Sequence, residues 1–589
     1  MTVIDRANDG TAVSIPLRIV VSDDCASQQN GRSGSLSRRW IACGAFFLVL
    51  GIYALSSPGR IDMIDGQTRF DVAYNWLVTG RPIMQDNWIT PYMGVQGRDG
   101  FRYSYYGAPG SVFAMPLVWF GLFTSAPAIQ PSQFLFSFTT PIFGAAIAPL
   151  LFLFYMELGV TTRRAFVWTM ISSFATYIWP ISNSTFDNAQ HAFFVLAAVY
   201  FGFLGARRGS VKYAIAGGFM AAVLLLYQQY FLLVIPALAL ATVRRPERKE
   251  SFSSAVTADS KAGRVVAHVQ KTFQETLSFF REARAGESEA RSSLVRYGAF
   301  LAAAAVGQAL AFAYNDVRFG SPFDNGILKS ISAHAYPLFG SPLAGFLTLL
   351  VSPGKSIFLY SPSLVIGVLG MRYLWRRHSE PAMAIVSSTA LLLAFLSCIC
   401  FVGGDWCWGP RYLAPLVPLW ALAFPFAPLK KLRWSFVVML VGVSLAVQVL
   451  ALSVENQRFF YNNGFRDYFW AEDRWVYFKH SALIERPGEM ASLLQGLPAT
   501  ARYFNSVPIT EWYTYTSLGL PPGADPKLAP AWMRTFKIFF LPRPWPFWMS
   551  YVPPELRPVN IGAWLLGLLS MSVLGAIAIY RGIQIEKCP

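Results

Sequence analysis

Charge is scarce in this sequence. Asp, Glu, Lys and Arg make up 14% of its 589 residues, while 54% are hydrophobic. A soluble protein carries about 25% charged residues, so the shortage excludes a soluble enzyme, a disordered chain and a coiled-coil fibre together. Cysteine is scarce too. Cys25, Cys43, Cys398, Cys400, Cys407 and Cys588 include no Cys-x-x-Cys pair, which supports neither a disulfide framework nor a zinc site. Five scattered histidines give no transition-metal cage. Residues 1–37 lack the basic start, short apolar core and cleavage site of a signal peptide; they read as a disordered cytoplasmic tail. No internal repeat is visible.

Long apolar runs, by contrast, are abundant. Stretches of roughly 20 residues recur from Trp40 to Tyr580, the signature of an all-α polytopic membrane protein. The net charge of +17 sits between these runs. There it sets membrane orientation and meets anionic lipid, and it is no nucleic-acid footprint. Basic clusters at Arg38–Arg39, Arg163–Arg164, Arg207–Arg208, Arg244–Arg245, Arg376–Arg377, Lys430–Lys431 and Arg581 are placed in the cytoplasm by the positive-inside rule.

That parity allows only one crossing between the first outside loop and Arg163, although two apolar stretches lie there. The stretch 109–124 is the shorter and contains Pro116, so it is expected to lie at the membrane surface or re-enter. Twelve spans remain, near 40–56, 134–156, 165–180, 189–206, 211–226, 229–243, 297–314, 356–374, 382–402, 411–428, 434–454 and 561–580. Both termini then lie inside. Residues 57–133, 315–355 and 455–560 are outside, the last as a small lobe whose exit 542–548 reads as an aromatic belt. The cytoplasmic insert 244–296 carries Val265, Val269, Phe273, Leu277 and Phe280 at helical spacing, an interfacial amphipathic helix.

Polar residues at the outside face carry the chemistry. Asp65-Gly66 is a turn and helix-start signal, and 67–78 suits a short amphipathic helix with Phe70, Ala73, Tyr74 and Leu77 on one side. Asp65 is then either an N-cap or an ionised carboxylate able to take a proton from a hydroxyl. Asp187 is either a cap on the following helix or a second acid facing the same cavity. The turn Gly97–Gly107 carries Tyr103, Tyr105 and Tyr106, which suit a sugar face or a membrane interface equally. Arg318, Lys355 and Arg411 lie at outside ends of spans, against the topological bias. A phosphate oxyanion would explain them; so would ion pairs with Asp316 or Asp405, or snorkelling to headgroups.

These pieces, in this order, resemble the GT-C superfamily of membrane glycosyltransferases that use polyprenyl-phosphate-linked sugars, in its protein O-mannosyltransferase-like and aminoarabinose-transferase-like branch. The resemblance rests on Asp65-Gly66, the tyrosine turn, Trp179-Pro180 with Phe186-Asp187, Arg318-Phe319-Gly320-Ser321-Pro322, Ser352-Pro353-Gly354-Lys355 and Trp408-Gly409-Pro410-Arg411-Tyr412. It covers 40 to about 430 of the 38–454 module and leaves 455–560 unnamed. It implies a GT-C-type bundle with juxtamembrane helices in the first outside loop and catalytic acids at Asp65 and Asp187. Lys355, Arg411 and Arg318 would bind donor phosphate, and Tyr103, Tyr105 and Tyr106 the sugar or acceptor. Relatives often carry a lysine in the tyrosine turn. This chain has Tyr105 there, with Arg102 as the nearby cation.

The expected reaction moves a sugar from a polyprenyl phosphate to a glycan, lipid or protein hydroxyl at the periplasmic face of a bacterial inner membrane. No cofactor is required, although Asp65 and Asp187 could hold a divalent cation. The alternative is a lipid-linked-sugar flippase or another transporter, which should show repeated halves and midplane charges. An O-antigen polymerase or ligase should show a late loop rich in Arg and His, and here His480 is the one histidine of that loop.

Overall fold

The computed structural model describes residues 23–59, 61–84, 93–123, 129–244, 288–333, 337–404, 407–429, 434–454, 459, 475–494 and 557–587. It is a helical polytopic membrane protein with one two-stranded hairpin among the described residues. Seven described helices are long and apolar enough to cross a bilayer: Leu36–Ser56, Pro131–Glu157, Asn188–Arg208, Glu289–Phe319, Ser379–Cys398, Trp434–Ser453 and Leu566–Gln584.

The other five expected spans differ in kind. The stretch 165–180 is a 13-residue helix, Thr162–Phe174, followed by the short turn Ile178–Ser182. The helix Val211–Tyr227 has 17 residues. The stretch 356–374 breaks between Ile357–Tyr360 and Leu364–Arg377. Residues 229–242 and 411–426 are chains of 3₁₀ and single α turns. Proline explains the interruptions. Pro236, Pro362, Pro415, Pro418 and Pro425 each remove an amide donor and crowd the preceding turn. Such irregular backbone survives at membrane depth only where protein surrounds it, and Phe231, Leu238, Leu413 and Leu419 are all buried.

One expectation meets a difference at the chain's N-terminal flank. The first helix begins at Asp23, so 23–37 is helical rather than the unstructured tail expected there. The amphipathic insert and the aromatic belt 542–548 lie outside the described residues, as does most of 455–560. From that lobe the helices Val476–Lys479 and Ala482–Leu494 are described.

The first and last helices form a close seam. A side chain on Gly44 would come 2.6 Å from the Gly575 carbonyl oxygen, and one on Gly575 would come 2.7 Å from the Leu48 amide. Small residues let backbones approach where lipid gives no hydrophobic drive between helices. Ser37 Oγ adds a bond of 2.5 Å to the Gly582 carbonyl.

The loop after the first helix builds the platform for the site. Helix Ile64–Thr79 turns Phe70 and Ala73 onto Ala114, Val118 and Phe136, with Tyr74 and Leu77 at the border, the face expected from the sequence. Helix Pro109–Leu122 has 14 residues, about 21 Å at 1.5 Å per residue. That falls short of a hydrocarbon core of about 30 Å. Its open side carries Phe113, Trp119 and Phe120, which suits lipid contact. Between the two helices the hairpin Gly94–Gln96 and Arg102–Ser104 pairs Val95 with Tyr103.

Candidate active site

Two acids and two arginines from three parts of the chain meet at one end of the bundle. Asp65 is the second residue of helix Ile64–Thr79. Met63 takes the N-cap position, so the Asp65 side chain is not a plain cap. Its Oδ2 accepts from Arg411 Nη1 at 2.8 Å, and both side chains are almost fully buried. Arg411 opens the proline-rich segment 411–426. Its guanidinium lies 3.9 Å over the Phe186 ring and also donates to the Tyr412 hydroxyl at 3.3 Å.

Asp187 occupies the N-cap position of helix Asn188–Arg208, yet makes no capping bond. Its carboxylate accepts from Arg69 Nη2 at 2.7 Å. Arg69 lies one turn after Asp65 on the same helix but reaches across to the other acid. It is 4.3 Å above the Tyr106 ring. Gly110 permits this path, because a side chain there would meet Arg69 Cδ at 2.8 Å. Arg69 also senses Asp65, and Asp187 also senses Arg411, so the two pairs form one four-charge cluster.

Near the cluster a third acid acts as a clamp. Asp62 accepts from the Thr185 amide at 2.7 Å and from Ser184 Oγ at 2.8 Å, fastening the first loop to the turn before Asp187. Burial pushes its carboxyl up, and the Thr185 and Ser184 bonds offset only part of this. Gly66 completes the contact. A Cβ there would come 2.2 Å from Thr185 Oγ1, so the Asp65-Gly66 pair marks close packing rather than a turn.

The balance is different at Asp187. Burial raises its carboxyl, but the Arg69, His191 and Arg411 charges lower it further, leaving it below the ordinary carboxylate value of 3.8. A depressed folded value means stability that is complete above the unfolded value and lost as pH falls through the folded one. In detergent, the unfolding midpoint of the wild type should therefore fall steeply below about pH 4. Asp187→Asn should start lower at neutral pH and show a flatter acid limb; an unchanged acid limb would remove Asp187 from the pairing.

The structure brings Asp65, Asp187, Arg411 and Tyr106 together. It places the other expected site residues elsewhere. Lys355 is buried, and its ammonium donates to the Cys407 carbonyl at 2.8 Å and the Gly409 carbonyl at 3.2 Å. It braces the loop that leads into Arg411. Arg318 is buried as well. Its guanidinium holds the Ser104 and Tyr106 carbonyls and Asn315 Oδ1, and so shapes the tyrosine turn. Arg102 is exposed on the hairpin and donates to the Gly94 carbonyl at 3.4 Å. Tyr103 is buried, with its hydroxyl donating to Asp99 Oδ2 at 2.8 Å. Tyr105 donates to Met93 Sδ at 3.2 Å, and its ring packs 4.7 Å from Tyr106. For Lys355, Arg318 and Tyr103 the cause is burial: a cation or phenol away from water takes the nearest carbonyl or carboxylate.

Sequence reasoning missed Arg69 and His191. A signal for both was present, since each follows an acid by four residues, one helical turn. Arg69 Nη1 has no hydrogen-bond partner among the described residues, although Arg69 is only 3% exposed. No group of three or more His, Cys, Asp or Glu that could hold a metal ion occurs among the described residues. A divalent cation would have to displace a guanidinium from each acid.

The sequence matches no protein-family model, and no curated protein matches it. Among solved structures it is similar to the archaeal oligosaccharyltransferase AglB from Archaeoglobus fulgidus, solved in complex with an inhibitory peptide and a dolichol-phosphate. The identity is 12% and the TM-score 0.37, over 84% of this chain. The chain spans 61% of that protein's length.

Proposed function

We propose that this chain is a GT-C-type membrane glycosyltransferase. It moves a sugar from a polyprenyl-phosphate donor to an acceptor hydroxyl at the periplasmic face of a bacterial inner membrane. The observation that carries this reading is the buried cluster of Asp65, Asp187, Arg69 and Arg411, with one guanidinium nitrogen of Arg69 still unpartnered. Such a cluster offers a base and a cationic clamp side by side.

Asp65 takes the proton of the acceptor hydroxyl. The acceptor oxygen forms a bond to the anomeric carbon as the bond from that carbon to the phosphate oxygen breaks. The electron pair leaves with the phosphate, so no acid is needed there. Arg411 and Arg69 meet the growing negative charge, a task to which planar guanidinium forks are suited. Tyr106, under Arg69, presents an aromatic surface beside the reacting sugar. A single displacement inverts the anomeric centre. No metal enters this sequence of steps. Lys355 and Arg318 contribute through the loops they brace.

The test is transfer by purified protein in nanodiscs. Radiolabelled polyprenyl-phosphate sugars are offered with membrane extracts as acceptor. Label arriving on a glycan, lipid or protein is the expected result. Label that only crosses the membrane of sealed vesicles, with the donor intact, would make the chain a flippase instead.

A further inference from the structure

His191 is the buried titratable group that the steps above leave unused. It lies one turn into helix Asn188–Arg208 and is 1% exposed. Its Nε2 stands 3.5 Å from Asp187 Oδ2, and neither ring nitrogen has a hydrogen bond among the described residues. The edge contacts of Tyr227 at 4.7 Å and Phe231 at 5.1 Å fix the ring plane. A buried polar group without a partner is costly, and native proteins rarely keep one without a use.

Asp187 therefore stands between two groups with unused donors. On one side is Arg69, whose Nη1 is unpartnered. On the other is the imidazole. Arg69 holds the carboxylate at 2.7 Å and the imidazole stands 3.5 Å from it. The charged and titratable groups that face His191 are Asp187 at the start of its own helix, Arg69 from helix Ile64–Thr79, Arg411 from segment 411–426 and the Tyr227 phenol at the end of helix Val211–Tyr227. Two cations oppose an imidazolium here while two carboxylates balance them, so the cluster is neutral with a neutral ring.

A phosphodiester donor changes that balance by one negative charge. We infer that His191 is a positioning residue: when a donor oxygen engages Arg69, the Asp187 carboxylate closes on the imidazole, which takes up one proton from water. The imidazolium then holds Asp187 away from Arg69 and restores neutrality. The proton returns to water when the phosphate leaves. Imidazole is suited to this because a carboxylate brought closer to it favours its charged form. The inference rests on the transferase reading above.

The signature is proton uptake on donor binding. The probe is polyprenyl-phosphate glucose, a phosphodiester with no group titrating near neutrality, bound to the full chain in phosphatidylcholine nanodiscs. Its dissociation constant is measured from about pH 5.5 to about 8.5. One proton taken up on binding weakens affinity by up to about tenfold per pH unit as pH rises. His191→Gln keeps a hydrogen-bond donor and His191→Phe keeps the packing; both should flatten that slope and bind more weakly at the acid end. A merely structural histidine would leave the slope in place. A slope that survives in both variants, or is absent from the wild type, overturns this inference and leaves the transferase standing. Failure of the wild type to bind at any pH overturns both.

Discussion

Asp65→Asn should lower turnover by roughly 10³-fold, within the 10²–10⁴ range that general-base help supplies, while donor binding is kept or tightened. The asparagine keeps the shape of the side chain but cannot take the acceptor proton. It also leaves the Arg411 guanidinium facing a neutral amide instead of a carboxylate at 2.8 Å. That freed positive charge favours an anionic donor, so the dissociation constant should hold or fall. The split between turnover and binding separates a base from a binding residue. Asp187 gives the control. Its carboxylate is committed to Arg69 and backed by His191, so Asp187→Asn should act mainly on donor affinity. Reversed phenotypes would exchange the two roles. Unchanged turnover in both variants would place the base elsewhere.

Why Asp65 was legible and Arg69 was not follows from distance along the chain. The acid sits in a short polar loop after an apolar run, and such a residue stands out at once. The face of its helix was equally plain, because Phe70, Ala73, Tyr74 and Leu77 keep helical spacing and do meet one apolar cluster. Charge partners are another matter. Arg69 bypasses Asp65, four residues away, for Asp187, 118 residues on, while Arg411 comes back 346 residues to take Asp65. No local spacing encodes that exchange.

The same reason hid the partners of the cations. Arg318, Lys355 and Arg411 look alike in sequence, each at the end of an apolar run. Only the folded loops decide that Lys355 meets carbonyls of 407 and 409, that Arg318 meets those of the tyrosine turn, and that Arg411 meets Asp65. Broken spans were missed for a different reason. Hydropathy reports that a segment is apolar, whereas the prolines of 411–426 decide that it is not one continuous helix.

The placement of Arg411 on that broken segment leads to the largest stability effect expected. Arg411→Met should destabilise the chain by about 3–5 kcal/mol, because it leaves the buried Asp65 carboxylate without its partner. Asp65→Asn in the same background should recover most of the loss, since the stranded charge is then gone. The cycle is read from unfolding in detergent at neutral pH. Its sign matters more than its size. Recovery in the double variant means that the pair adds little net stability over neutral residues and is retained for another purpose. Two carboxylates and two guanidiniums brought from distant segments into a buried cluster are expensive to desolvate, and apolar packing would hold these loops as well. Their persistence at one spot then argues for chemistry, with Arg411 held by Asp65 until an oxyanion shares it. Additive losses in the double variant would mean that each residue stabilises the fold through separate contacts, and the cluster would stand as structural. Activity is then the deciding measurement between the variants. A double variant restored in stability yet inactive in transfer separates the two uses of the same four side chains.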